Sequence, residues 1–269
     1  MLIEWVKVVI LGIVEGITEF LPISSTGHLI VAAALLDFQG SVGGTFEIFI
    51  QSGAVVAVIL FYRAEIFQQI RTVTSDSRVQ RFWLGILVAF IPAAVIGFLL
   101  KDWVKEVLFS PAVVGVSLIV GGIIFLFIER RPAQVSTVNE AVEITLSQAL
   151  IIGIAQTMAL IPGVSRSGAS IIGGRLGGMN RRAATQFSFY LAIPTLGGAT
   201  VYDLLTSLDQ INTNEMAMLI VGTIVSGIVA WFAIGWLLRF VTNNSFVAFG
   251  YYRIVAGIII LILVAAQLL

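Results

Sequence analysis

Six long apolar runs constrain this chain more than any other feature. They cover residues 46–62, 82–100, 111–128, 187–202, 217–238 and 247–266. At a rise of about 1.5 Å per residue, helices of this length span most or all of a hydrocarbon layer about 30 Å thick. Predominantly apolar runs of this length read as membrane helices, the first of them interrupted only by Glu47 and Gln51. Composition agrees: 58% of the 269 residues are hydrophobic and 11% are charged, against roughly 25% charged in soluble domains. The expected fold is an all-α, polytopic integral membrane protein, a single membrane domain over 1–269. Net charge is zero and no basic run is present, which argues against nucleic acid as a partner. The absence of cysteine excludes disulfides and thiolate metal ligands. The N-terminus lacks the pattern of a cleaved signal peptide, so none is expected.

The chain repeats itself, with repeat one at about 1–131 and repeat two at about 143–269. A shift of 141 residues lays Gly12 on Gly153, Glu15 on Gln156, Ser24 to Gly27 on Ser165 to Gly168, and Phe46 on Phe187. A shift of 135 lays Gly115 on Gly250 and Gly122 on Gly257. Each half holds one broken polar segment followed by three spans. Three is odd, so halves whose broken segments re-enter without crossing have opposite topology. The positive-inside rule supports this. It puts the polar loop 63–81, Arg130, Arg131, Arg175, Arg181, Arg182 and Arg239 in the cytoplasm, and the loop with Asp203, Asp209 and Glu215 outside with both termini. Pro92 is expected to kink its span. Thr145, Ser147 and Ser226 read as packing residues, and Glu47 and Gln51 as either packing or site lining.

The broken segments carry the chemistry. In residues 12–29, Glu15 and Glu19 fall on one helical face. Pro22 ends the helix, and Ser24, Ser25, Thr26, Gly27 and the chain's sole histidine, His28, follow. The second segment runs from Gln156 through Pro162 and Gly163 to Ser165, Arg166, Ser167, Gly168 and Ser170. Charges at membrane depth cost about 2.5–3.5 kcal/mol each on insertion scales, so a retained one marks function. Free N–H groups at two facing helix starts, with the guanidinium of Arg166, suit a polyanion such as a diphosphate. Glu15 and Glu19 would repel it unless a divalent cation, magnesium or calcium, lay between them. The plainer alternative pairs both acids with Arg166 in a structural network, which leaves negative charge over.

With these residues the chain resembles the undecaprenyl-diphosphatase family of bacterial membrane phosphatases, which is tied to bacitracin resistance. The likeness lies in Glu15 to Pro22 running on to His28, in Pro162 to Gly168, and in Phe187 to Pro194. Ser170 stands where the family usually has threonine. The resemblance implies hydrolysis of undecaprenyl diphosphate to undecaprenyl phosphate, recycling the lipid carrier for cell-wall synthesis. It also implies dependence on a divalent cation and a plasma-membrane location with the site open to the outer face. On this reading Glu15 and Glu19 hold the metal or polarise water. Arg166 binds the diphosphate with Gln156, Ser165, Ser167, Gly168 and Ser170 of its own segment and Ser24, Thr26 and Gly27 of the other. His28 is the expected general base for Ser25 or a water, one helical turn away. The partner is a polyprenyl diphosphate lipid, and a homodimer is left open. The rival is an inverted-repeat transporter or lipid-phosphate flippase, since broken helices between inverted halves are also transporter architecture.

Overall fold

The computed structural model describes residues 2–38, 45–130, 138–207 and 213–269. The described chain is almost wholly helical: α1 Leu2–Thr18, α2 Ser25–Leu35, α3 Thr45–Phe61, α4 Arg63–Thr72, α5 Ser77–Trp103, α6 Pro111–Glu129, α7 Leu146–Thr157, α8 Arg166–Leu176, α9 Arg181–Ser207, α10 Thr213–Asn243 and α11 Val247–Ala265. Ser77–Trp103, Pro111–Glu129, Met216–Asn243 and Val247–Ala265 are long and apolar enough to cross a membrane. α3 turns through 65° into α4 at Tyr62. α9 covers the expected 187–202 run and extends it at both ends, with Pro194 inside it.

Helix starts follow local chemistry. The Asp76 side chain accepts from the Arg78 N–H at 2.8 Å and starts α5, and Ser110 caps α6 ahead of Pro111, a proline position that needs no N–H partner. Thr145 and Gln148 form a reciprocal capping box at α7, so Thr145 is a cap where the sequence suggested packing. The expected loop over 63–81 is instead largely helical. α4 occupies residues 63–72 and α5 begins at Ser77, while α5 runs to Trp103 and continues as a π-turn over Val104–Leu108. The arginine-rich 63–81 stretch is charged but otherwise made of helix formers, and polarity alone does not stop a helix. The expected polar midpoint (132–143) and the acidic loop (203–216) lie partly outside the described residues.

The order of elements is consistent with a repeat. Shifted by 141, α2 falls on α8 end to end, α1 overlaps α7, α3 falls within α9, and α5 overlaps α10. α6 and α11 pack directly together through glycines seven residues apart in each. A Cβ on Gly257 would lie 2.5 Å from the Gly115 carbonyl, and one on Gly122 would lie 2.6 Å from that of Gly250. Early α6 thus meets late α11 and the reverse, so these two equivalent helices run antiparallel. Small residues permit such backbone approach, which drives helix association in lipid. Beneath the breaks the core is aromatic, with Phe20 edge-on to Phe189 at 5.0 Å.

Candidate active site

Both breaks are built the same way. α1 ends at Thr18, four residues before Pro22. The chain turns through Glu19 to Ile23, and α2 restarts after Ser24, whose φ is 72°. α7 passes through a 3-10 turn, bends at Ile161 to Val164, and α8 restarts after Ser165, whose φ is 57°. Serine in the left-handed region costs energy, and both breaks accept it at the equivalent position. Gly163, at φ 91°, sits where a Cβ would press to 2.7 Å on the Val114 carbonyl, so only glycine fits there.

The two restarts differ in one respect. The Ser165 hydroxyl accepts from the Gly168 N–H at 3.1 Å and caps its own helix. Ser24 makes no side-chain cap, which leaves the first N–H groups of α2 available to an anion. The two cradles expected from sequence are therefore unequal.

Glu19 is the hub. It is 6% exposed, accepts the Ser25 hydroxyl proton at 2.6 Å on one carboxylate oxygen, and pairs with Arg166 at 2.9 Å through the other. Arg166 also donates to the Ser188 carbonyl at 2.9 Å and lies 5.8 Å above the Phe20 ring. Its Nε is buried and without a hydrogen-bond partner among the described residues. Ser170 donates to the carbonyls of Arg166 and Ser167 and lies 2.7 Å from the Ser188 hydroxyl. Ser167 donates to the Leu21 carbonyl at 3.0 Å and stitches one break to the other. Ser167 and Ser170 thus spend their hydroxyls on the scaffold.

Glu15 is fully buried, and neither of its carboxylate oxygens has a hydrogen-bond partner among the described residues; the same holds for both polar atoms of the Gln156 amide. Two buried acids face one guanidinium, and only Glu19 is ion-paired with it. These orphaned oxygen ligands fit a hard divalent cation, which would take Glu15, Glu19 and the Gln156 amide oxygen as ligands. Among the described residues no group of three or more histidines and acids forms a metal cluster, so the remaining ligands would come from substrate or water.

His28 is placed differently from expectation. Its Nδ1 lies 2.7 Å from the Ser24 carbonyl and its Nε2 lies 2.6 Å from the Tyr252 hydroxyl. Ser25 and His28 make no hydrogen bond to each other, although the spacing is one turn. The turn at Glu19 to Ile23 folds the acid back over the start of α2, and Ser25 donates to it instead. A carbonyl acceptor at Nδ1 fixes a proton there and leaves Nε2 to accept from the phenol.

Sequence reasoning passed over Tyr252 and its neighbour Arg253. Arg253 is 1% exposed and donates to the carbonyls of Pro22 at 3.1 Å, Gly163 at 3.1 Å, Ser117 at 3.3 Å and Leu118 at 3.4 Å. It holds both breaks from behind. The signal was present: Arg253 is the sole charge in the 247–266 run, and such a charge marks a functional position by default.

A cavity of 580 Å³ opens from this centre. Its polar end presents Glu19, Ser24, Ser25, Thr26, Gln156, Ser165 and Arg166. Its walls are Phe90, Ala93, Gly97, Phe98 and Leu196, and Gln51, Lys101 and Tyr202 lie farther along. Gln51 is thus site lining; Glu15, Gly27, His28, Ser167, Gly168 and Ser170 stand behind the wall.

A charged, hydroxyl-lined centre between two broken helices, continuous with an apolar trough, defines a membrane-embedded site for an anionic headgroup on a long apolar tail. Comparison with known proteins gives the family. The chain belongs to the bacitracin resistance protein BacA family, whose model matches residues 8–259. It is 49% identical over 260 residues to the undecaprenyl-diphosphatase of Albidiferax ferrireducens, covering 95% of this chain and 94% of that one. It is 48% identical to undecaprenyl-diphosphatase 3 of Acinetobacter baylyi, covering 96% and 97%. With the undecaprenyl-diphosphatase of Deinococcus radiodurans it shares 47% identity over 269 residues, 99% of this chain and 97% of the other.

Proposed function

We propose that this protein hydrolyses undecaprenyl diphosphate to undecaprenyl phosphate and inorganic phosphate, and that Ser25, Glu19 and Arg166 carry the chemistry. The observation that carries the reading is the short hydrogen bond from Ser25 to Glu19, with Arg166 on the other oxygen of the same carboxylate.

The diphosphate enters the polar end of the cavity with its chain along the apolar walls. The free N–H groups at the start of α2 and the guanidinium of Arg166 take its phosphate oxygens, neutralising charge that grows at the leaving oxygen. Ser25 Oγ attacks the terminal phosphorus and passes its proton to Glu19. The bond from phosphorus to the bridging oxygen breaks, and the lipid phosphate leaves as a stable anion. Water then hydrolyses the phosphoserine, and the proton returns from Glu19 to Ser25. Glu19 serves as base in place of His28 because it already accepts the serine proton, whereas both imidazole nitrogens are engaged elsewhere. His28 holds the start of α2 in place through the Ser24 carbonyl. Glu15, Glu19 and Gln156 would hold a divalent cation, which would supply charge neutralisation for the diphosphate.

The antiparallel packing of α6 on α11 supports inverted halves, and arginine placement supports a cavity that opens to the outer face of the bacterial inner membrane. Phosphate release from a prenyl diphosphate by purified protein, with and without chelator, tests the reading. A carrier or flippase moves lipid and releases no phosphate. Trapping of phosphoserine at Ser25 during turnover separates serine attack from direct attack by water.

A further inference from the structure

The other end of the bundle carries a second cavity that the hydrolytic reading does not use. It measures about 370 Å³ and lies where the elbow between α3 and α4 meets the first turn of α9 and the later part of α10. Arg182, Arg239, Tyr62 and Gln186 line it, with Trp231 and Phe232 at one side. We propose that this cavity binds the phosphate headgroup of an anionic membrane lipid, held by Arg182, Arg239 and the Tyr62 hydroxyl.

Three observations carry the proposal. First, both guanidiniums are free of acids. Arg181 is paired with Glu129, but Arg182 makes no hydrogen bond or ion pair among the described residues, and Arg239 donates only to the Gly235 carbonyl of its own helix. Glu65 lies on the same wall, with Tyr190 and Gln186 both donating to one of its oxygens at 3.2 Å; one carboxylate against two guanidiniums leaves the lining net positive. Second, Tyr62 is 3% exposed, and its buried hydroxyl has no partner among the described residues. A buried hydroxyl donor without an acceptor is costly, and an anion beside two arginines supplies one. Third, Trp231 and Phe232 are 41% and 64% exposed on a helix long and apolar enough to cross the membrane. They face lipid, so the cavity opens sideways at the depth where tryptophan and headgroups meet.

The two cavities share no lining residue. Along α9, Arg182 stands about 9 Å from Ser188, which contacts Arg166, and about 30 Å from Tyr202 in the far part of the cleft. The second cavity therefore sits at the arginine-rich end of α9, away from the part of the cleft at Tyr202. Two planar forks and a phenol match the spread oxygens of a phosphodiester. Basic pockets between transmembrane helices bind lipid headgroups by the same chemistry.

The test is native mass spectrometry of the purified full chain in neutral detergent, titrated with phosphatidylglycerol or with phosphatidylcholine of the same acyl chains. Wild type should retain one phosphatidylglycerol per chain in preference to phosphatidylcholine. The double variant Arg182→Gln, Arg239→Gln should bind phosphatidylglycerol at least about tenfold more weakly, a loss of roughly 1.4 kcal/mol. Tyr62→Phe, which keeps the ring packing, should weaken it several-fold. Release of phosphate from a water-soluble short-chain prenyl diphosphate should stay near the wild-type rate in these variants, which shows them folded. Undiminished phosphatidylglycerol binding by the double variant would overturn the site, as would equal retention of phosphatidylcholine. Displacement of the lipid by millimolar inorganic phosphate would overturn the lipid as occupant and assign the pocket to a free anion.

Discussion

Replacing Glu19 by glutamine separates the proton acceptor from the scaffold better than any other single change. The amide keeps the volume of the acid and an oxygen that accepts from Ser25 or Arg166, so the break should hold its shape. What is lost is the ability to take the serine proton, because an amide is not a base at neutral pH. General base catalysis contributes about 10²–10⁴ in rate, or roughly 3–5 kcal/mol at about 1.36 kcal/mol per decade. We expect kcat to fall by that factor and KM to change little, since Arg166 and the α2 amides still hold the headgroup. Removal of the acid altogether should cost more. The Glu19–Arg166 pair is buried, with side-chain exposures of 5% and 12%, and breaking such a pair from one side costs about 3–5 kcal/mol. Glu19→Ala should therefore lower thermal stability strongly as well as rate, whereas Glu19→Gln, which loses the charge but keeps an acceptor for Arg166, should lower stability less and rate by the full factor. The assay is phosphate release from a prenyl diphosphate in detergent, with thermal unfolding of each variant measured alongside. His28→Gln is the internal comparison. If it loses more activity than Glu19→Gln while staying folded, the imidazole is the base and the proposed proton path is wrong.

Other outcomes follow from the same geometry. Arg253→Met should lower stability by several kcal/mol, because four carbonyls lose hydrogen bonds to a charged donor worth about 1.5–3 kcal/mol each; unfolding at the wild-type temperature would refute the clamp. Gly163→Ala should destabilise the second break and reduce activity through strain at φ 91° and contact with the Val114 carbonyl, measured as a lower unfolding temperature. Chelation should remove most activity, and Glu15→Gln, which weakens one of the proposed ligands, should raise the cation concentration needed for half-maximal rate; full activity in excess chelator would exclude the cation. Outside the membrane, Arg78 hydrogen-bonds Asp76 and holds its carboxyl below the ordinary aspartate range. That contribution is present above the unfolded-state value and is lost as pH falls through the lowered folded one. An NMR titration should therefore find the Asp76 midpoint low, and Arg78→Ala, which removes the side-chain donor but keeps the backbone N–H, should move it part of the way back.

Much of this site was legible because proline, glycine and buried charge are strong local signals. Pro22, Pro162 and Gly163 mark the breaks, and Glu15, Glu19 and Arg166 stand out against apolar surroundings. The matching positions of α2 and α8 follow from one offset. Directions were not legible. Spacing places Ser25 and His28 a turn apart on α2, but which partner Ser25 meets depends on how the turn at Glu19 to Ile23 folds back. Tyr252 and Arg253 come from a helix more than two hundred residues away, and only packing brings them to His28 and Pro22.

The same limit applies to the two cradles, which read as equals in sequence. In the structure Ser165 spends its hydroxyl on its own helix start, and Ser167 spends its hydroxyl on the first break. Ser24 leaves its helix start open, and Ser25 turns its hydroxyl to an acid. Gln156 replaces the carboxylate that Glu15 supplies. On the proposed mechanism the second break contributes the guanidinium of Arg166 and the bracing, and the first contributes the nucleophile, the base and the open amides. On that mechanism the two matching elements divide into a holding half and a reacting half. Restoring symmetry should therefore be harmful: Gln156→Glu adds a third acid around one arginine and should weaken diphosphate binding, read as a raised KM, unless added divalent cation offsets the charge. Unchanged KM at low cation concentration would show that Gln156 lies outside the electrostatics of the site.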